Sequence, residues 1–231
     1  LKRNHARLQR DVVFAGVSDE EAGGQHGAAA LVSKHADLLA GRDLIGEVGG
    51  FNLAVGNAAI VPIQVAEKGR VVLRLRAKGS AGHGSLPQKN GAIGRLTQAV
   101  ARLDNTRLPH HLTPVTKDFL HQVAAVQGPV RATALKQLAN PYLYGLILDR
   151  LIPEKAQKTA FEAMLTNTAT PTLLRAGESS NVIPENAEAV VDGRFLPGQT
   201  ADDLVREVAA VVGPDISIEK ENELAPVETR P

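Results

Sequence analysis

From Arg70 to Lys78 the chain alternates: Val71, Leu73, Leu75 and Ala77 project to one side, Arg70, Arg74, Arg76 and Lys78 to the other, with Val72 the one exception. A period of two marks a strand with one face on a core and one in water. Half-wet strands belong to antiparallel sheets, so this segment requires a sheet with an apolar layer on its Val71–Ala77 side. Residues 90 to 104 supply such a layer, an amphipathic helix through Ile93, Leu96, Val100 and Leu103. Thr168 to Ala176, Ala187 to Phe195 and Asp215 to Glu221 read as further strands. Ala201 to Val212 reads as a second helix, opened by a Thr200–Asp203 capping box and closed by Gly213-Pro214. Leaving out residues 105 to 167, the order is βαββαβ, the α+β ferredoxin-like arrangement of one antiparallel sheet covered by two helices.

The segment left out is helical in character: Thr116 to Val126, Arg131 to Leu138, Tyr142 to Leu151 and Glu154 to Leu165, punctuated by Pro129, Pro141 and Pro153. Both tyrosines lie here, beside Leu143, Leu146, Ile147 and Leu148. Such an insertion packs a small core of its own or offers an apolar wall to a substrate chain.

Before Glu67-Lys68-Gly69 the pattern is different. Asp11 to Val17 reads as a buried strand, Gln25 to Leu39 as a helix ended by Gly41, and Asp43 to Glu47 as a second strand. A βαβ unit crosses over right-handed, which makes its strands parallel and opens both carboxyl ends onto the same side of the sheet. Those ends carry Asp19-Glu20-Glu21 and Glu47, each followed by Gly-Gly. Adjacent carboxylates beside an apolar strand lose hydration and repel, which proteins tolerate where solvent or a cation compensates. A solvated acidic turn and half of a metal site are both consistent with this.

With 43% apolar residues among 231, the chain is globular, and 26 Lys+Arg against 25 Asp+Glu leave a net charge of +1, which argues against nucleic acid as a partner. The basic face of residues 70–78 has no interleaved aromatic for base stacking. There is no cysteine, so a metal would need His and carboxylate ligands. The uncharged stretch from Val48 to Ala66 is broken by Gly, Asn and Pro and is not a membrane helix. No targeting signal is visible, which leaves the compartment open, and the expected chain begins inside a longer protein.

Successive strand residues point oppositely, so Glu20 and Glu21 suit different jobs: one to hold a metal ion, the other to accept a proton from metal-bound water. Glu21 and Glu47 are too few for zinc, which takes three or four ligands. His83, in Gly82-His83-Gly84-Ser85, is uncrowded and suited to donate a hydrogen bond to a developing oxyanion. His26, His35, His110, His111 and His121 lack ligand spacing and read as surface or capping residues. Arg194, assisted by Asn181, is suited to clamp a carboxylate. It is equally suited to a cross-strand ion pair, with Glu188 and Asp192 on its own strand face.

Taken together, Val17-Ser18-Asp19-Glu20-Glu21-Ala22-Gly23-Gly24, Gly46-Glu47-Val48-Gly49-Gly50-Phe51, Glu67-Lys68-Gly69, Gly82-His83-Gly84-Ser85-Leu86-Pro87 and Asn181-Val182-Ile183-Pro184 with Arg194-Phe195-Leu196-Pro197-Gly198-Gln199-Thr200 resemble the zinc aminoacylase and carboxypeptidase family, nearest its carboxypeptidase S and N-fatty-acyl-amino-acid hydrolase branch. The resemblance implies an α/β protein: a partial parallel-sheet catalytic domain at 1–66, a ferredoxin-like lid at 67–223 with the helical insertion 105–167, and a return to the catalytic domain from 224 to 231. It implies metal-dependent hydrolysis of an amide bond in N-acyl amino acids or small peptides, two zinc ions per complete active site, and a homodimer through the lid. Glu20 then corresponds to the general base, Glu21 and Glu47 to ligands of the two zincs, and His83 to a histidine lent to the partner's site. Asn181 and Arg194 correspond to substrate-carboxylate contacts. The family's further His and Asp ligands match no position here, so the expected chain is inactive by itself. Gly46 also stands where an acidic residue is common. The competing expectation is a non-catalytic dimerisation module.

Overall fold

The computed structural model describes residues 7–20, 23–41, 52–55 and 58–229. The chain forms two compact units, Leu1–Val48 and Gly49–Pro231.

In the first unit, helix α1 spans Ala28–His35 and continues as a 3-10 turn over Ala36–Leu39, within the helix expected from Gln25 to Leu39. The strand expected at Asp11–Val17 is not formed. That segment is extended coil with Val12, Val13 and Phe14 63%, 60% and 93% exposed. Among the described residues no neighbouring strand takes its backbone groups, and an apolar run with no ladder to join has no reason to pleat. Its expected partner, Asp43–Glu47, lies outside the described residues, so the parallel βαβ unit is not formed by those described.

The second unit holds β1 (Leu53–Val55), β2 (Ala58–Ile60), β3 (Ala66–Glu67), β4 (Gly69–Lys78), β5 (Gly82–His83), α2 (Ala92–Asp104), α3 (Pro114–Ala125), α4 (Pro129–Gln137), α5 (Tyr144–Leu151), α6 (Lys155–Leu165), β6 (Thr168–Ala176), β7 (Val182–Ile183), β8 (Asn186–Phe195), α7 (Ala201–Val212), β9 (Ile216–Leu224) and β10 (Val227–Glu228). Four strands form one antiparallel sheet in the order β6-β8-β4-β9, so the βαββαβ succession is present, with β6 and β8, consecutive within this sheet, paired.

The alternation of β4 decides which face is covered. Val71, Leu73, Leu75 and Ala77 are fully buried with Ala187, Ala189 and Val191 of β8, beneath Leu96, Ala99 and Leu103 of α2 and Leu204, Val208 and Val212 of α7. The other face is a charge ladder: Arg74 pairs with Glu188 and with Glu221 (2.9 Å), and Arg76 with Glu188 (3.0 Å) and Glu219 (2.6 Å). The start of α7 is fixed by the expected capping box, Thr200 accepting from the Asp203 N–H at 3.2 Å and the Thr200 N–H donating to Asp203 Oδ2 at 2.8 Å.

Helices α3 to α6 enclose a second core of Leu120, Val123, Leu135, Leu138, Ile147, Leu148, Phe161 and Leu165, with Val55 and Ile60 of the β1–β2 hairpin packed against it. Each opening proline sits where its missing N–H costs nothing: Pro114 begins α3 after the Thr113 cap, and Pro129 begins α4. The insertion is tied to the sheet layer through Asn167, buried to 1%. Its Oδ1 accepts from the Leu196 N–H at 2.9 Å and its Nδ2 donates to Glu207 at 3.1 Å. The other oxygen of Glu207 meets His111 Nε2 at 2.5 Å.

Candidate functional site

The acidic segment is a tight loop built by Asp19, not by Glu20. Asp19 sits at φ 53°, and its backbone carbonyl accepts from the Gly24 N–H at 2.8 Å. Its Oδ2 accepts from the His26 N–H at 2.9 Å, while its buried Oδ1 finds no partner among the described residues. Gly27 admits this fold: a Cβ there would stand 2.0 Å from the Ser18 carbonyl oxygen and 2.7 Å from Asp19 Oδ1. Glu20 is exposed, and only its backbone carbonyl takes part, accepting from Gly23 at 3.0 Å. Its carboxylate is left to solvent. Glu21 and Glu47 lie outside the described residues, and among those described no group of three His, Asp or Glu side chains is placed to hold a metal ion.

His83 and Asn181 are brought together. The short strands β5 and β7 pair antiparallel with His83 opposite Val182, and the Gly84 N–H donates to the Asn181 carbonyl at 2.8 Å. His83 Nδ1 accepts from the Ser85 N–H at 3.3 Å and faces Ser85 Oγ at 2.8 Å. A ring nitrogen that accepts from a backbone N–H is unprotonated, which in the neutral ring leaves the proton on Nε2. Asn181 is exposed, its Oδ1 accepting from Ser179 Oγ at 2.7 Å.

Arg194 is not part of that corner. It lies opposite Arg70 near the end of β8, whereas β7 feeds the start of β8 opposite Lys78. From Asn186 to Arg194 the strand advances about 27 Å at ~3.4 Å per residue. Arg194 holds Asp192 through two nitrogens, Nε at 3.1 Å and Nη2 at 3.0 Å, which is an ion pair along its own strand. Arg70 Nε stands 3.5 Å from the same carboxylate.

Lys68, not singled out by the sequence, completes this end. Its Nζ donates to the Thr166 carbonyl at 2.8 Å. Burial, and then the charge of Arg194, lower its pKa to about 8. The corner therefore carries Arg70 and Arg194 on the carboxylate of Asp192, with Lys68 near enough to Arg194 to feel its charge. Between about pH 8 and 10.5 the unfolded chain holds a proton on Lys68 that the folded chain lacks, so stability rises with pH across that window. Denaturant unfolding at pH 7.5 and 10.5 should show a gain on the order of 1–3 kcal/mol relative to Lys68→Met. Parallel profiles for the two proteins would count against the buried amine.

Two of the histidines read as surface or capping groups are partly buried instead. His110 lies on Tyr144 with ring centroids 4.6 Å apart, and burial lowers its pKa. His111 is the Glu207 partner described above. Neither contact is local in sequence.

Residues 65–216 match the family described as the M20 peptidase dimerisation domain. The chain belongs to the M20 peptidase dimerisation domain family. Its relatives include "Probable carboxypeptidase S-like 2" of Dictyostelium discoideum, 28% identical over 223 residues, covering 90% of this chain and 40% of that protein. The human "N-fatty-acyl-amino acid synthase/hydrolase PM20D1" is 33% identical over 153 residues, covering 66% of this chain and 30% of that protein. Among solved structures, human carnosine dipeptidase 1 matches with TM-score 0.52 at 11% identity, over 91% of this chain and 47% of that one, a likeness of fold. The chain thus spans well under half the length of the curated relatives it matches. Peptidase and hydrolase names recur among the M20 members it resembles.

Proposed function

We propose that the chain serves metal-dependent hydrolysis of an amide bond in N-acyl amino acids or small peptides, within a di-zinc exopeptidase or amidohydrolase. Residues 1–66 are then part of the catalytic domain, 67–223 the lid with its helical insertion, and 224–231 the return to the catalytic domain. Fatty-acyl amino acids are the favoured substrates on the names of the PM20D1 relatives.

The observation that carries this reading is the cationic corner. Arg70 and Arg194 share the one carboxylate of Asp192, and the charge of Lys68 lies near Arg194, which makes the corner suited to the free carboxylate of an amino-acid product or substrate. Arg194 is its forked donor, already oriented by Asp192. His83 and Asn181 stand at the far end of β8, too distant to touch the same amino-acid-sized ligand. This supports their serving the active site of a second copy, with Nε2 of His83 donating to the oxyanion and Asn181 steadying the substrate. Glu20, free in solvent on its loop, takes the proton of the attacking water. Glu21 and Glu47 are the candidate zinc ligands of this chain. The described residues do not themselves make a metal site.

The chain with added zinc is expected to show no metal-dependent release of amino acid from N-acyl amino acids, while a complete enzyme carrying it does so and loses activity with a chelator. Turnover by the chain alone would refute the incomplete-site argument. The match to a dimerisation family favours one rival, a non-catalytic module; a complete enzyme that neither retains zinc nor hydrolyses any N-acyl amino acid would establish it.

Dimerisation itself has a natural seam. β6 and β9 are the two edges of the sheet, and β9 carries Glu219, Lys220, Glu221 and Glu223, charges that discourage pairing. β6 instead exposes Leu173 and Leu174 to 50% and 54%. A homodimer through β6 is expected in light scattering, and Leu173→Glu with Leu174→Glu should raise the dimer Kd by at least about tenfold. An unchanged dimer would move the seam elsewhere.

A further inference from the structure

The ladder between β6 and β8 ends at Thr168 opposite Arg194, so the Leu196 N–H, two residues further on, lies past its last rung. A side chain supplies what the neighbouring strand no longer does: Asn167 Oδ1 accepts from that N–H at 2.9 Å. The rest of the amide is committed as well. Its Nδ2 donates to Glu207 Oε2 at 3.1 Å, and Glu207 Oε1 in turn meets His111 Nε2 at 2.5 Å. Asn167 and its neighbour Thr166 are both buried, to 1%. A buried polar cluster is costly unless its members are satisfied, and where they are satisfied it admits one arrangement of the segments it joins.

The segments joined here are those of the cationic corner. Asn167 holds the chain two residues past Arg194, and the Thr166 carbonyl holds Lys68 Nζ at 2.8 Å. One dipeptide thus reaches both cations. The same dipeptide is fixed to the end of α6 through His111, whose backbone N–H donates to the Leu165 carbonyl at 2.6 Å. An apolar side chain at 167 would fill the same space but offer the Leu196 N–H no acceptor, and the end of β8 would lose its fixed place.

We propose that Asn167 is a positioning residue for the cationic corner: it extends the β6–β8 pairing past Arg194 and so sets the guanidinium, with Lys68 near it, where a substrate carboxylate arrives. The role in substrate binding rests on the hydrolytic reading; the geometry of the corner does not, and it has a readout of its own.

In a complete enzyme carrying this chain, Asn167→Ala is expected to raise KM for an N-acyl amino acid about tenfold while kcat changes less than about twofold. KM for the matching N-acyl amino-acid amide, which brings no carboxylate, should stay as it was. Asn167→Asp keeps the acceptor but sets a second carboxylate against Glu207, so it should raise KM too. Adding Glu207→Gln reverses the polarity of that hydrogen bond and should bring KM back to within about twofold of the wild type. In the 231-residue chain, NMR titration of the Lys68 amine reads the corner without substrate. Its pKa of about 8 should rise towards the ordinary lysine value in Asn167→Ala, as water reaches the amine, and fall back when Asn167→Asp and Glu207→Gln are combined. Equal losses with both substrates, or a fall in kcat at constant KM, would make Asn167 a structural residue only and overturn the proposal. So would a double variant no better than Asn167→Asp alone, a comparison that serves equally if circular dichroism shows Asn167→Ala unfolded. A complete enzyme that hydrolyses no N-acyl amino acid removes the hydrolytic reading; Asn167 is then judged on Lys68, and an unmoved titration in folded Asn167→Ala overturns its positioning role.

Discussion

Replacing Glu20 by Gln in a complete active site is expected to lower kcat by about 10²–10⁴, with zinc content and KM little changed. The change keeps the size and most of the hydrogen-bonding capacity of the side chain and removes its ability to accept a proton. The loop geometry makes the test clean. Its fold is held by the Asp19 carboxylate, by the Gly24 N–H and by the close approach of Gly27, while the Glu20 side chain takes no part. A loss of activity in Glu20→Gln therefore reports chemistry and not collapse of the loop. Asp19→Ala is the contrast: it removes the acceptor of the His26 N–H, which would lower activity through the position of the loop. Wild-type kcat in Glu20→Gln would remove Glu20 from its role, and lost zinc would reassign it as a ligand.

What was legible in the sequence follows from the range of the interactions that decide each element. The bounds of α7 were readable to the residue because its signals are local, a capping box at Thr200–Asp203 and Gly213-Pro214 at the far end. The basic and apolar faces of β4 were readable because alternation alone sorts them. Asp11–Val17 has the composition of a buried strand, but burial depends on a partner that no local pattern guarantees. The same limit hid the site's assembly. β5 and β7 are two residues each, too short to leave a pattern, and yet they bring His83 beside Asn181 across about a hundred residues of chain. Lys68 gave no signal, because what sets it apart is its meeting with the Thr166 carbonyl and Arg194. Arg194 was read as either a carboxylate clamp or an ion pair. The ion pair expected was cross-strand; the structure has Arg194 on Asp192 along its own strand, while the cross-strand pairs are those of Arg74 and Arg76 with Glu188. The Asp192 pair is also what would aim the guanidinium for a clamp.

Phe195→Ala should destabilise the second unit by about 3–5 kcal/mol, a large share of the ~5–15 kcal/mol that holds a domain together. Phe195 is 1% exposed and closes the end of the sheet core opposite Gly69, its register partner on β4. The fit between them is reciprocal. A Cβ on Gly69 would stand 2.4 Å from Cε2 and Cζ of the ring and 2.9 Å from the Leu224 carbonyl oxygen on β9. Glycine is therefore required at 69 to admit the ring, and Gly69→Ala is expected to cost about 1–3 kcal/mol by overpacking. Because both substitutions act on one volume, their effects should not add. The new methyl of Gly69→Ala has room once the ring is gone, so the double variant should be more stable than the sum by about 0.5–3 kcal/mol. Urea unfolding of the four proteins measures this coupling, and strict additivity would show that the clash at 69 is with the Leu224 carbonyl alone. The effect reaches function through the next residue. Arg194 precedes Phe195 on β8, so loosening the ring frees the strand end that holds the guanidinium against Asp192 and beside Lys68. In the complete enzyme Phe195→Ala should therefore raise KM for a carboxylate-bearing substrate before it lowers kcat, a split that general loss of folded protein does not produce.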